Sequence, residues 1–343
     1  MRLGILLGSG MGLIAAAILT GCNSEPESAK LTNTKADAAA KLKESRAAKL
    51  KAAAKVKANE LGQIPVLMFH RIVPKPATTD DRSPQQFRAE LERLIREDYV
   101  PITAAELVAG KIDIPAGKHP VVLTFDDSSP SQLTLNEMGV PQKDTAVQIL
   151  KDVAAKHPGF RPAATFYVTR DMFGKTTREE QAQYLLWLKD NGFEIGNHTR
   201  DHHNLRGRSQ KEVEEQIGSI AQQISGLSYT NPTTIALPYG NQPSKKEWAL
   251  RGKLYNHKGA FLAGYTPAAS PFSKSYDPAG IPRIKVMEKK GDCAQFCSAA
   301  WLDWLKNNPD MRYTSDGDVR TVAYPKYKNP YLRKSYATWS LAY

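Results

Sequence analysis

Cysteine is scarce in this chain: three occur in 343 residues, and one of them, Cys22, closes the leader. That leaves Cys293 and Cys297 in Asp292-Cys293-Ala294-Gln295-Phe296-Cys297. Neither the segment nor its spacing supplies two further ligands, so a thiolate metal site is excluded there. Long apolar runs are equally scarce. After residues 3–19 no segment is long and apolar enough to span a bilayer. Residues 29–60 have no aromatic side chain, and Leu31, Leu42, Leu50 and Val56 are their only larger apolar groups, which excludes a core of their own. Histidine is missing after His257. The chain shows no internal repeat and no second globular domain.

The leader sets the compartment. Arg2 precedes the apolar stretch 3–19, which suits a signal-peptide core better than a lasting span. It ends in Leu19-Thr20-Gly21-Cys22, which resembles the lipobox of bacterial lipoproteins. The resemblance implies a signal peptide over 1–21, cleavage before Cys22, and acyl chains on its thiol and new amino terminus. Several chains on one residue anchor stably, whereas one binds membranes only marginally. The expected location is therefore extracytoplasmic, lipid-anchored to a bacterial membrane, with nucleic acid excluded as a partner. Residues 22–60 read as an Ala/Lys-rich tether. Residues 29–60 carry nine basic and three acidic side chains, half of the net charge of +12. If helical, this spacer would reach about 45 Å. Its charge allows contact with anionic lipid or wall polymer. Export also permits a Cys293–Cys297 disulfide, although the spacing on a helix is awkward for it, and both states stay open.

Residues 61–343 suffice for one large α/β domain. Apolar runs at 64–69, 121–125, 163–168, 193–196, 233–237, 260–263 and 281–286 read as strands. Segments 84–97, 144–156, 178–191 and 209–225 read as helices, the last opened by a capping box at Ser209 and Glu212. Buried strands spaced by helices predict a mainly parallel sheet or barrel, with its site at the C-terminal ends of the strands.

The chemistry-bearing residues fall at those ends. An acidic pair, Asp126 and Asp127, follows one strand; His198 and His202 follow another; Leu237-Pro238-Tyr239-Gly240 and Met68-Phe69-His70 end two more. Alone, each has a plainer reading. An acidic pair caps a helix or makes a turn, a histidine pair on a polar loop is solvated, and Pro-Tyr-Gly is a turn. Together they are what a mononuclear metal hydrolase needs. One carboxylate and two imidazoles bind the ion, and the other carboxylate handles the proton of the attacking water. His203 is a further ligand that the spacing leaves open.

In this order the motifs Thr124-Phe125-Asp126-Asp127, His198-Thr199-Arg200-Asp201-His202 and Leu237-Pro238-Tyr239-Gly240 resemble those of the polysaccharide deacetylases, the NodB-homology group or carbohydrate esterase family 4. The resemblance covers about 64–286. It implies a distorted (β/α) barrel and a divalent metal, zinc with cobalt or nickel as alternatives, that removes acetyl groups from acetylated glycans. Carried over by position, it makes Asp126 the general base and Asp127, His198 and His202 the metal ligands. It also places a backbone N–H near Tyr239 against the tetrahedral oxyanion.

The departures are specific. The arginine usual three positions before the tyrosine is Ala236, the usual glycine after the acidic pair is Ser128, and the usual late histidine is missing. His257 lies in a basic, polar stretch instead. His70 ends the first strand, and similar segments precede the acidic pair in poly-N-acetylglucosamine deacetylases with a circularly permuted motif order. That likeness assigns His70 as the general acid. Arg283 is the candidate substitute for the missing arginine. The expected protein is a monomeric, membrane-anchored, metal-dependent hydrolase of an N-acetylated cell-surface glycan, of the peptidoglycan or poly-N-acetylglucosamine type. The rival readings are a catalytically weak glycan-binding relative and an O-acetyl esterase.

Overall fold

The computed structural model describes residues 27–343, with side chains from residue 40 onward. The signal peptide over 1–21 and the anchor at Cys22 lie outside the described residues. The first helix is α1 (Glu27–Lys55), and residues 49–343 form one compact unit. Residues 49–60, the end of the Ala/Lys-rich stretch, pack within that unit. Small side chains explain this: Ala53 and Ala58 are buried in one cluster with Ala323 and Leu341. Asn59 Nδ2 donates to the carbonyls of Asp310 and Arg312, both at 3.0 Å. The Glu60 carboxylate accepts the Ala323 N–H at 2.9 Å and the Tyr313 hydroxyl at 3.1 Å. Lys49 adds an ion pair to Asp318 at 2.8 Å.

Strands and helices then alternate: β1 (Val66–Phe69), α2 (Pro84–Arg96), β2 (Tyr99–Ile102), α3 (Ala104–Ala109), β3 (His119–Phe125), α4 (Ala146–Lys156), β4 (Thr165–Val168), α5 (Arg178–Asp190), β5 (Glu194–Asn197), α6 (Gln210–Ser228) and β6 (Thr234–Ala236). A small antiparallel ribbon, β7 (Arg251–Gly252) with β8 (Tyr255–Asn256), leads to β9 (Gly259–Phe261) and β10 (Ile284–Lys285). The C-terminal part contributes α7 (Cys293–Phe296), α8 (Ser298–Asn307) and a parallel pair, β11 (Val322–Tyr324) with β12 (Ser340–Ala342).

The main sheet runs β10-β1-β3-β4-β5-β6-β9, with β2 paired to β3, and every pairing in it is parallel. It curls into the expected distorted barrel. Segment 278–281 spans the gap between its end strands: Ala260 N–H donates to Pro278 O at 2.8 Å, and Ile281 N–H to Ala260 O at 2.9 Å. Each of the seven strand-like runs overlaps one of these strands. The run missed is β2, whose Pro101 argues against a central strand; β2 bonds only β3, and proline is tolerated on such an edge.

The strands' period of two separates two cores. Leu67, Phe69, Leu123, Phe125, Phe166 and Val168 pack outward against the helices, with Phe69, Phe125 and Phe166 stacked at 5.1 and 5.0 Å. Val66, Val122, Tyr167, Ala236 and Phe261 fill the inner side. Gly196 has to be glycine, because a Cβ there would meet the Tyr167 ring at 2.4 Å. The helices start at sequence-encoded caps. Ser83 with Gln86, Thr103 with Glu106, Thr177 with Glu180 and Ser209 with Glu212 all form complete capping boxes.

Candidate active site

β1, β3, β5 and β6 release their chains at the same rim of the sheet, and a cavity of about 420 Å³ opens there. His70, Asp126, Asp127, His198, His202 and Tyr239 all line it. Residues up to 169 positions apart in sequence thus meet because their strands end together.

Three of them form a tight group. One ligand atom each from Asp127, His198 and His202 lies within 4.8 Å of the others. His198 Nε2 stands 3.4 Å and His202 Nε2 3.5 Å from Asp127 Oδ1. His198 Nδ1 lies 2.8 Å from the Ala236 carbonyl, which can only accept, so the ring carries its proton there and turns the Nε2 lone pair to the cavity. That buried Nε2 has no hydrogen-bond partner among the described residues. A carboxylate and two imidazoles aimed at one point, one nitrogen of them orphaned, fit a divalent cation.

Asp126 sits deeper, 2% exposed, and is held by Arg283, which is itself fully buried. The two guanidinium nitrogens donate to Oδ1 and Oδ2, each at 2.7 Å. Arg283 is in turn fixed by bonds to Leu262 O at 2.8 Å and Thr124 Oγ1 at 3.1 Å, with its guanidinium 5.6 Å from the Tyr167 ring centre. The positively charged group expected at position 236 thus reaches the acidic pair from residue 283, just before β10, while Ala236 is buried and small.

Electrostatics follow from this packing. Burial alone would push the Asp126 carboxyl up, but the charge of Arg283, then that of His198, and the Arg283 bonds hold it well below the usual carboxylate range. Asp127 is lowered as well: burial opposes, and the neighbouring His198 ring prevails. Burial should lower His198, yet the charges of Asp126 and Asp127 raise it. His202 is lowered, by burial first and His198 second. Two carboxylates beside a buried imidazole make the pocket favour a positive charge.

His70 follows β1 directly; its Nδ1 is buried without a hydrogen-bond partner among the described residues. Gln132 ties the two strand ends together, its amide nitrogen reaching the carbonyls of His70 at 2.9 Å and Asp126 at 2.5 Å. The Tyr239 ring stands edge-on against His202 at 4.9 Å. Next to it Gly240 is required, because a Cβ would meet the Ala263 amide at 2.5 Å and its φ is +68°.

Two other histidines fall elsewhere. His203 lines a separate hollow with Leu205 and Arg208. His257 is buried with Nδ1 3.0 Å from Ala249 O, and burial lowers its pKa to about 4. Cys293 and Cys297 are joined as a disulfide. The helical-spacing objection does not apply, because α7 stops at Phe296 and Cys297 is extended, φ −107° and ψ 179°. Sequence reasoning missed Arg71, Asp81, Tyr265 and Lys285, which also line the cavity. They carry no motif, and only their closeness to the ends of β1, β9 and β10 hints at them.

A curled parallel α/β sheet with an acidic and histidine-lined cavity at its strand ends defines the architectural class. The polysaccharide deacetylase family model matches residues 113–255, the stretch that holds Asp126, Asp127, His198, His202 and Tyr239. No curated protein matches the chain. The fold is similar to that of the deacetylase PplD from Streptococcus pyogenes, solved with acetate. The two are 22% identical over 69% of this chain and 98% of that one, at a TM-score of 0.52. It is also similar to IcaB from Ammonifex degensii, 20% identical over 70% of this chain and 97% of that one, at 0.51. The family model thus matches the part of the chain that carries the site, and the fold is similar to that of solved deacetylases.

Proposed function

We propose that the protein is a lipid-anchored, metal-dependent enzyme that removes acetyl groups from an N-acetylated cell-surface glycan, of the peptidoglycan or poly-N-acetylglucosamine type. The observation that carries the reading is the grouping of Asp127, His198 and His202 beside the Asp126–Arg283 pair in one open cavity. Asp127, His198 and His202 would hold the ion, with zinc the first choice for an oxygen and two nitrogens and cobalt or nickel as alternatives. A divalent ion, when bound, supplies Lewis acidity toward the acetyl carbonyl.

The chain's own groups supply the proton transfers. Asp126, kept ionised by Arg283, accepts the proton of the attacking water. Each of its oxygens retains a lone pair beyond the one spent on the guanidinium. His70, at the end of β1, gives a proton to the departing amine as the C–N bond breaks, so acetate and a free amino sugar leave. The backbone N–H near Tyr239 stabilises the oxyanion between these steps. The Arg283–Asp126 pair also removes one of the two grounds for a catalytically weak binder, the empty place at Ala236.

The anchor rests on Leu19-Thr20-Gly21-Cys22 and the apolar run before it. It would hold the catalytic unit near the envelope glycans on which it is proposed to act. The deciding experiment is acetate release by the full chain, in detergent and loaded with zinc, from N-acetylated and O-acetylated glycans. Release from the N-acetylated glycans, abolished by a chelator and restored by zinc, is expected. Oligosaccharide binding with no acetate release from any glycan would overturn the enzyme reading, and release indifferent to the chelator would overturn the metal.

A further inference from the structure

Beside the cavity lies a second hollow, of about 290 Å³, which shares Tyr265 and Lys285 with it. Two aromatic rings stand there in the open: Tyr265 is 63% exposed and Phe296 46% exposed. They meet edge to face, ring centres 6.3 Å apart at 66°. Single exposed apolar side chains need no explanation, but a contacting pair at the mouth of a site does.

Both residues are held in place through the backbone. The Tyr265 carbonyl accepts the Trp301 indole N–H at 2.6 Å, and Tyr265 pairs antiparallel with Ile284 just before Lys285. Phe296 ends α7, a single turn clamped by the Cys293–Cys297 disulfide, whose two sulfur-bearing residues are buried. A short loop is thus fixed so that an aromatic side chain points into solvent next to the cavity. Thr79 and Asp292 add polar groups to the same hollow.

We infer that Tyr265 and Phe296 form a second sugar subsite, which takes the unit of the glycan chain adjoining the one whose acetyl group lies in the cavity. Aromatic rings offer an apolar face to the C–H side of a pyranose, and polar groups at the edge meet its hydroxyls, the mixture usual in ligand sites. The occupant follows from continuity: a chain leaving the cavity past Tyr265 reaches Phe296 next. This inference rests on the glycan reading above and adds to it a preference for oligomers over single units.

The test compares the full, zinc-loaded chain with Phe296→Ala and Phe296→Trp on an N-acetylglucosamine hexamer and on 4-nitrophenyl acetate. Phe296→Ala should lose roughly three- to tenfold in kcat/KM on the hexamer, mostly through KM, the scale of one aromatic contact. The small ester should be hydrolysed as by the parent, and Phe296→Trp should restore the hexamer. An unchanged hexamer rate, or an equal loss on both substrates at an unchanged melting temperature, overturns the subsite. If the parent releases acetate from no glycan, the enzyme reading fails separately. Calorimetric titration with the hexamer then decides: weaker binding to Phe296→Ala supports the subsite, and equal binding overturns it.

Discussion

Arg283 is the residue through which the proposed site can be broken most informatively. Its guanidinium and the Asp126 carboxylate are almost entirely out of water and joined by two bonds of 2.7 Å. Replacing Arg283 by Met keeps most of the apolar stem but leaves the Asp126 charge buried without its partner, which typically costs about 3–5 kcal/mol. Leu262 O and Thr124 Oγ1 lose donors as well, so the upper part of that range is expected. Asp126→Asn strands the guanidinium and should cost a similar amount. Arg283→Met combined with Asp126→Asn removes both charges, and its cost should fall short of the sum of the two by at least about 2 kcal/mol, because residues sharing one network do not add. Urea unfolding of the full chain, followed by tryptophan fluorescence, measures all three differences. Additivity within about 0.5 kcal/mol would refute the pair as a coupled unit, and with it the account of how position 283 substitutes for position 236.

Further outcomes follow from the same geometry. His198→Ala and Asp127→Ala should each lower bound zinc well below one ion per chain, measured by elemental analysis, since three protein ligands leave little redundancy; full occupancy in both would show the ligand set to be misassigned. Asp126→Asn and His70→Ala should keep the zinc and lose about 100- to 10,000-fold in turnover, and a His70→Ala variant nearly as active as the parent would remove His70 as the acid. His257, buried and lowered by that burial to about 4, refuses a proton that the unfolded chain accepts near pH 6.5, so stability should fall as pH drops from about 6.5 to 4 and level off below. His257→Phe should flatten part of that fall in pH-dependent urea melts, and an unchanged slope would exclude His257 as its source. Cys22→Ser should leave the membrane fraction or remain unprocessed, and mass analysis of the parent showing an unmodified mature N-terminus would remove the anchor.

Much of the architecture is legible in the chain because local chemistry and burial agree. The strand runs read clearly since both faces of these strands are buried, one under helices and one inside the curl. Helix α6 starts where Ser209 and Glu212 say it should. What stays hidden depends on distant partners. The helix ending at Lys55 has the composition of a solvated spacer, and only Ala323 and Leu341, more than 260 residues away, reveal that Ala53 in its last turns and Ala58 just beyond it are buried. β2 is masked by Pro101, harmless there because β2 is an edge. The disulfide is hidden because 293–297 reads as one helix, whereas the chain breaks at Cys297.

The site was legible for a different reason: several of its residues look like turns because they are turns, held in conformations that side chains disfavour. Asp127, Ser128, Thr199, His202 and Tyr239 all have positive φ, half of the non-glycine residues that do so among those described. Each such residue costs on the order of 1–3 kcal/mol and persists only where its surroundings overdetermine it. The surroundings can be named. Gln132 clamps the chain at Asp126, Asn197 Oδ1 accepts the Thr199 N–H at 2.9 Å, and Gln216 holds the loop through Arg200 and Asp201. Turn propensity alone would have allowed glycine at these places, as the family's usual residue at 128 illustrates. A carboxylate and an imidazole in them instead mean that the fold tolerates strain in order to aim side chains, and they aim into one cavity. The same logic separates His202, strained and facing that cavity, from His203, the next residue, which lines another.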